Sequence, residues 1–200
     1  FIKHINPPGG GKEATGLVTR FTRSAKAAVP GYPLELRLFH EIEVAKILVN
    51  AYFNDFDKER VTYQLEQSRI NEILKPLNAK LNAQPVKGVN EDDVVDLQDY
   101  AQESFGKSLS VLQANYWARA VAMAPRLSIE DRATLFSILW AEIPELTQIY
   151  IQFAKTLAQL GNPERVYAPL TAVVKDNGSG GLSQADSIMN VDMLERLGLP

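Results

Sequence analysis

Apolar side chains recur at steps of three and four residues along most of this chain, which is the spacing of one face of an α-helix. The first such stripe opens directly after Pro33, a residue that suits the first turn of a helix. A second stripe follows from about Asp57, and Pro76 should kink or end that helix because proline lacks an amide hydrogen. The two stripes consist of Leu34, Leu38, Ile42, Ala45, Val49 and Tyr52, and of Leu65, Ile70, Ile73, Leu77 and Leu81.

The next stripe begins with a helix-capping signal. Asn90 is a good N-cap residue, and the three acidic residues that follow it complement the helix dipole. The stripe then runs from Val94 to Met123, although Gly106 weakens its middle by roughly 1 kcal/mol relative to alanine. We therefore expect one long helix that ends at the Ala124–Pro125 pair.

The most apolar segment of the chain follows Ser128, a second N-cap candidate. Its apolar positions occupy more than one helical face, and a helix that is apolar on most sides is normally buried. We therefore expect residues 128–160 to form the central buried helix, with Trp140 packed in the core. Pro144 should bend or divide this helix, since its ring clashes with the preceding turn.

Both ends of the chain differ from the helical middle. Leu17–Arg23 alternates like a strand, after a loop rich in proline and glycine. After Gly161 the sequence predicts a short helix capped by Asn162, then a loop at residues 176–181, then a last helix capped by Ser183. The fold predicted is mainly α: a single-domain bundle of six or seven helices at 32–200, preceded by an extended basic N-terminal arm at 1–31 with one short strand.

Composition narrows the classes of protein to which the chain can belong. Residues are 46% hydrophobic and 22% charged, which is enough apolar material for a sizeable core. The absence of cysteine excludes disulfides, thiolate zinc sites and cysteine nucleophiles. No apolar run approaches the ~18 residues of a membrane span. The first residue is Phe1 rather than methionine, so we expect a cut or processed start, and we expect a cytoplasmic location.

Charge is distributed unevenly between the arm and the rest of the chain. Residues 1–31 carry five basic side chains against Glu13, a net charge of +4, whereas the whole chain has −3. Cations, hydroxyls and an aromatic ring in one short segment can bind phosphates and stack on bases. The candidate nucleic-acid-binding residues are Lys12, Arg20, Arg23 and Lys26. The alternative is that the arm lies on an acidic surface of the same chain or of a partner subunit.

Three short segments resemble known motifs but lack essential residues. Glu13 follows Lys12 where a phosphate-binding loop needs serine or threonine. Asn177 stands where the serine-hydrolase motif around Ser179 needs glycine. His40 lacks the second histidine of a helical zinc site, so it is interpreted as a surface or boundary residue. The sequence therefore predicts no catalytic residue, no metal ligand and no cofactor.

The leading hypothesis for function is a non-enzymatic helical protein–protein interaction module, such as an adaptor, a scaffold or an assembly subunit. It would bind a protein partner or self-associate, without a membrane span or a small-molecule ligand. The first alternative is a nucleic-acid-binding accessory or regulatory protein that uses the basic arm. The second alternative is an enzyme with a carboxylate-based site that the sequence does not disclose, since 24 acidic residues offer many combinations.

Overall fold

The computed structural model describes residues 29–55, 63–176, 178 and 180–184. The chain divides into two compact units, one formed by residues 1–38 with 165–200 and the other by residues 39–164. The predicted boundary between residues 31 and 32 stays a prediction. The described residues confirm a mainly α fold that also has short strands. The predicted strand Leu17–Arg23 and the four candidate nucleic-acid-binding residues lie outside the described residues.

The described part of residues 39–164 contains six α-helices joined by short turns and 3-10 segments. A single apolar core joins them, and its largest fully buried side chains include Trp140, Tyr116, Tyr150 and Phe136. The helices are α1 (Glu41–Asn54), α2 (Gln67–Leu77), α3 (Glu91–Phe105), α4 (Tyr116–Met123), α5 (Ile129–Ser137) and α6 (Pro144–Gln159).

Two predicted helix starts are confirmed by their hydrogen bonds. The amide of Asp93 donates to the side-chain oxygen of Asn90 at 2.9 Å, and the Asn90 amide donates to the Asp93 carboxylate at 2.8 Å. The amide of Asp131 donates to Ser128 Oγ at 3.2 Å. Each cap satisfies an amide that the helix itself leaves without a partner. Local sequence therefore fixed where α3 and α5 begin.

The first predicted helix starts seven residues later than expected. Leu34–Arg37 is a strand, β1, and the helix begins only at Glu41, with His40 as its exposed N-cap residue. A strand forms here instead of the first turns of a helix, because residues 34–37 pair with residues 165–168 and alternate in burial. The predicted start of the second helix near Asp57 lies outside the described residues. Residues 63–66 are not helical, and α2 runs from Gln67 to Leu77, one residue after Pro76.

The long helix predicted between Val94 and Met123 is wrong, because the structure divides it. α3 ends at Phe105, and α4 begins at Tyr116 after a connection that includes a 3-10 segment, Ser110–Gln113. The break begins at Gly106, where an added Cβ would lie 2.5 Å from the carbonyl oxygen of Gln102. Gly106, which the sequence analysis identified as unfavourable for a helix, is thus the residue at which α3 ends.

The central apolar segment is divided as Pro144 predicts. α5 passes into a 3-10 turn at Ile138–Trp140, the chain turns at residues 141 and 142, and Pro144 opens α6. Proline is favourable there because the first helical position needs no amide donor. Trp140 is fully buried as predicted, and its indole Nε1 donates to Thr147 Oγ1 at 3.0 Å. The expected single helix is therefore two helices around a buried corner.

The smaller unit contains strands where short helices were expected. β1 pairs antiparallel with β2 (Arg165–Ala168), and β3 (Val174–Asp176) pairs antiparallel with β4 (Leu182–Gln184). Gly161 is left-handed at φ +85°. Asn162 is left-handed too, at φ 53°, so it cannot act as the extended N-cap residue that the sequence predicts. Ser183 lies in β4 rather than capping a helix, and the last predicted helix lies outside the described residues beyond residue 184.

Candidate functional site: a buried arginine network and an aromatic cavity

Arg132 of α5 is fully buried in the helical unit, which is rare for an arginine. Its Nε and Nη2 donate to the two carboxylate oxygens of Glu41, at 2.8 and 3.0 Å, in a bidentate pair. Nη1 donates to the carbonyl oxygens of Leu127 and Val86, and Nη2 also donates to that of Lys87. All five N–H donors of the guanidinium are therefore occupied within the protein.

Glu41, the first residue of α1, is as deeply buried as its partner. Its Oε1 accepts a second hydrogen bond, at 2.5 Å, from the hydroxyl of Tyr150 in α6. Burial raises the pKa of Tyr150 well above its usual value, and the charge of Glu41 beside it raises that pKa further. The phenol is therefore held as a neutral donor, and three helices meet at one carboxylate.

Gly88 completes this site from the loop that precedes α3. Its φ is +118°, in a region that side chains rarely adopt, and an added Cβ would lie 2.2 Å from Glu41 Oε2 and 3.0 Å from Arg132 Nη2. The loop backbone can approach the ion pair only because this residue has no side chain. The network thus joins α1, α5, α6 and the loop at residues 86–88.

The chemistry of this network is structural rather than catalytic. A catalytic carboxylate or arginine needs a free oxygen or donor that faces a substrate. Arg132 has no donor left, and both oxygens of Glu41 are bonded. The hidden carboxylate site that the sequence left open as an alternative gains no support from this buried glutamate.

A second feature of the helical unit is a cavity of about 330 Å³. Its described lining is aromatic and aliphatic, with a serine as a further polar residue, and it comes from the end of α1, residues 63–65, the turn after α3 and the corner at residues 138–141. The lining residues are Tyr52, Phe53, Tyr63, Leu65, Ser108, Leu109, Ile138, Leu139 and Ala141.

Tyr63 places a buried hydroxyl in this lining. Burial raises its pKa above 10, and the nearby Glu142 carboxylate raises it further. Glu142 accepts two hydrogen bonds from Arg69, from Nε at 2.8 Å and from Nη2 at 2.7 Å. No hydrogen bond of ordinary geometry reaches the Tyr63 hydroxyl from the described residues. The hydroxyl is shielded from solvent and lies beside the Glu142 carboxylate.

The lining also includes Ala141, which belongs to a strained turn. Ala141 and Glu142 are consecutive left-handed residues, with φ of 55° and 56°, and neither is glycine. Such residues cost of order 1–2 kcal/mol each, and they persist only where surrounding contacts hold them. Here the amide of Glu142 donates to the Ser137 carbonyl at 2.8 Å, and Arg69 holds the Glu142 side chain.

The structure describes only some of the residues that the sequence analysis named. Lys12, Arg20, Arg23 and Lys26 lie outside the described residues, so the nucleic-acid interface stays a prediction. Trp117 is 3% exposed and packs in the core, although its indole Nε1 has no hydrogen-bond partner among the described residues. The structure brings together Glu41, Arg132, Tyr150 and Gly88, none of which the sequence analysis selected.

Sequence contained one signal for the buried arginine. Arg132 precedes Leu135 and Leu139 at helical spacing, so it stands on an apolar face where a charged residue needs a partner. Glu41 stands in the same way four residues before Ala45. Nothing in the sequence joins the two positions, which lie 91 residues apart.

The described residues offer neither a cluster of metal ligands nor a membrane-spanning helix. Within residues 29–55, 63–176, 178 and 180–184, no group of three or more histidine, aspartate or glutamate side chains is placed to hold a metal ion. In the same part of the chain, no helix combines the length and apolar character needed to cross a membrane.

Comparison with known proteins gives a family but no activity. No curated protein and no solved structure matches the chain. One family model, described as "Putative bacterial virulence factor", matches residues 1–200, which is the whole of the sequence. The chain therefore belongs to the family that this model describes.

Proposed function

We propose that residues 39–164 form a non-enzymatic helical module by which a bacterial virulence factor binds another protein. The observation that carries this proposal is an exposed apolar edge on α6. Phe153 is 49% exposed and Leu160, the residue that ends the helix, is 56% exposed. Single exposed apolar residues are common on protein surfaces, so the alignment of these two residues along one side of the helix is what distinguishes them.

These two residues continue a seam that α6 already uses for packing. Leu146, Tyr150 and Leu157 are buried, and together with Phe153 and Leu160 they follow a repeat of four, three, four and three residues. That repeat places apolar side chains along one side of a helix, as in coiled coils. In the C-terminal part of this side Leu157 is buried, whereas Phe153 and Leu160 on either side of it stay about half exposed and can contact an additional apolar surface.

The rest of the helical unit provides a rigid frame that holds this surface in place. Its interior charges are mutually satisfied by the Arg132–Glu41–Tyr150 network, so they hold helices rather than offer reactive groups. Burying one half-exposed large apolar side chain contributes on the order of 1 kcal/mol to association. Two such residues therefore give a contact, and neighbouring surface must provide the remaining affinity.

Site-specific photo-crosslinking tests the proposal. A photoreactive phenylalanine analogue is placed at Phe153 or at Leu160 in the full-length protein, which is expressed in the source bacterium and irradiated. Gln152 and Gln159 are matched controls, since each is exposed and lies one residue before a test position. We expect crosslinked protein adducts from the two test positions and much weaker ones from the controls. Equal yields at all four positions, or none, would contradict the proposal.

A further inference from the structure

We propose that the partner of the exposed edge of α6 is a second copy of this chain, bound with its α6 antiparallel to the first. The second copy uses the edge that the proposed function assigns to protein binding, so the inference rests on that function. Three properties of the edge support it: the spacing of the side chains, their sizes, and the charges that they lack.

A second stripe of side chains lies along the exposed side of α6, and we call it the outer stripe. Its members follow one another at steps of four, three and four residues, which keeps them on one side of a helix: Ile149, Phe153, Thr156 and Leu160. Ile149 packs partly against the core, and the other three side chains are exposed. The outer stripe shares Phe153 and Leu160 with the seam that meets the core.

The outer stripe has the same spacing in both directions along the helix. An antiparallel copy therefore presents its side chains at matching heights, with Phe153 opposite the partner's Thr156 and Ile149 opposite the partner's Leu160. A large ring then meets a small side chain, which favours close packing of the two helices. A parallel copy would place the two Phe153 rings against each other and leave a gap between the two Thr156 side chains.

Thr156 can be buried near the centre of this contact without losing a hydrogen bond. Its Oγ1 donates to the carbonyl oxygen of Gln152 at 2.8 Å, within α6 itself. A hydroxyl that already has a partner in its own helix keeps that partner when water is excluded. The polar member of the outer stripe is therefore compatible with an apolar contact.

The edge also lacks charges that would repel an identical surface. Between residues 149 and 160 the sequence contains one charged residue, Lys155, which lies outside the outer stripe. Its Nζ is 2.7 Å from Glu130 Oε1. The exposed residues beside the stripe include Gln152 and Gln159. Their amides both donate and accept hydrogen bonds, so they can pair with the same residues of a copy.

The exposed side of α3 has the same spacing and the opposite electrostatics. Four exposed acidic residues recur there at steps of four, three and four, and α3 contains no basic residue: Asp92, Asp96, Asp99 and Glu103. Two copies that met through this side would bring carboxylates against carboxylates, which is unfavourable. The uncharged stripe of α6 avoids that repulsion.

The size of the contact predicts a weak dimer. The outer stripe spans about 16 Å of helix from Ile149 to Leu160, at 1.5 Å per residue. Contacts that bury less than about 1,200 Å² in total are typical of weak or transient association. We therefore expect a dissociation constant on the order of 100 µM, so that self-association depends on the local concentration of the protein.

Charge-swap variants test self-association of the complete protein. Sedimentation velocity between about 10 µM and about 1 mM measures the dimer fraction. Thr156→Glu and Thr156→Lys should each weaken the dimer roughly tenfold, because like charges then lie near the two-fold axis. An equimolar mixture of the two variants should associate at least about threefold more tightly than either alone. Ala158→Glu is the control, at an exposed position on another side of α6, and should leave the dimer unchanged.

Disulfide trapping tests the antiparallel register. The chain has no cysteine, so an introduced cysteine can pair only with another introduced cysteine. Thr156→Cys should form a disulfide with its own copy under oxidising conditions, because this position lies near the two-fold axis. Ile149→Cys and Leu160→Cys should each crosslink poorly alone and readily when mixed. Ala158→Cys measures the yield from random collisions.

The outcomes separate this inference from the proposed function. A monomer at every concentration would overturn self-association, and so would a dimer that Thr156→Glu leaves intact. Efficient disulfides of Ile149→Cys and Leu160→Cys with their own copies would overturn the antiparallel register. A monomeric protein whose Phe153 still photo-crosslinks to other proteins in the cell would overturn self-association and leave the proposed function standing. Absence of both the dimer and the adducts would contradict both.

Discussion

Among the described residues of the helical unit, two arginine–glutamate pairs have the same bidentate geometry and opposite surroundings. In the pair Arg132–Glu41 the side chains are 0% and 2% exposed, and in the pair Arg69–Glu142 they are 47% and 23% exposed. Water competes for the second pair and is excluded from the first. The comparison shows that geometry alone does not determine what an ion pair does for a fold.

The two pairs consequently have different roles. The buried pair joins three helices and a loop, and removal of one partner would leave a charge without compensation in the core. The exposed pair joins α2 to a strained turn, and its partial exposure discounts its contribution to stability. We therefore expect the first to determine whether the unit folds and the second to determine the shape of one cavity wall.

The largest effect is expected when the buried pair is broken. Arg132→Met leaves the Glu41 carboxylate buried without its partner, which should lower the free energy of unfolding by roughly 3–5 kcal/mol. Arg119→Met is the control, because Arg119 makes a surface hydrogen bond with Asn71. Urea unfolding of both variants measures the difference. A loss below about 1 kcal/mol for Arg132→Met would show that water reaches the pair.

A smaller loss is expected when the loop is pushed away from the buried pair. Gly88→Ala should cost roughly 1–2 kcal/mol for its left-handed backbone and about 1–3 kcal/mol more for the overlap with Glu41. Gly161→Ala has a similar positive φ but no atom within 4 Å of the added Cβ, so it should cost only the first amount. Equal losses of unfolding free energy in the two variants would contradict the close contact between Gly88 and the Arg132–Glu41 pair.

Stability at alkaline pH distinguishes a buried tyrosine from an exposed one. The pKa of Tyr116 is raised by burial above its ordinary value of about 10, so the folded state binds a proton that the unfolded state releases. This contribution to stability is complete below pH 10 and is lost as pH rises further, by about 1.4 kcal/mol per pH unit. Unfolding free energies from pH 9 to 11 should therefore fall less steeply in Tyr116→Phe. Identical slopes would contradict burial of the phenol.

The smallest effect on stability is expected at the exposed pair. Arg69→Ala should lower the free energy of unfolding by less than about 1 kcal/mol, and the loss should shrink further in high salt. The Arg69→Ala substitution should instead have a local effect, which is measured as changes in the NMR chemical shifts of Ala141 and Tyr63. A loss comparable with that of Arg132→Met would show that the exposed pair stabilises the fold.

Sequence predicted those features that depend on neighbouring residues. The caps at Asn90 and Ser128 and the division at Pro144 are local effects of side-chain oxygens and of a missing amide hydrogen. Trp140 was assigned to the core because it lies in the widest apolar stripe, and it is fully buried. Such features need only a few residues of context.

Features that depend on distant partners were missed. Leu34 fits both a helical stripe and an alternating strand, and pairing with Ala168 selects the strand. Arg132 stood on an apolar face, but its partner Glu41 lies 91 residues away. The cavity around Tyr63 likewise needs the tertiary contacts of several elements. The buried network and the cavity therefore depend on packing between distant residues, which the sequence pattern alone does not show.

Double-mutant cycles on the two pairs test the central comparison most directly. Unfolding free energies are measured for Glu41→Gln, Arg132→Met and their combination, and for Glu142→Gln, Arg69→Met and theirs. The coupling energy is the amount by which the double variant departs from the sum of the single variants. We expect a coupling of about 2 kcal/mol or more for the buried pair and below about 1 kcal/mol for the exposed pair. Equal couplings, or a larger value for Arg69 and Glu142, would contradict the assignment of Arg132 and Glu41 as the structural centre of the helical unit.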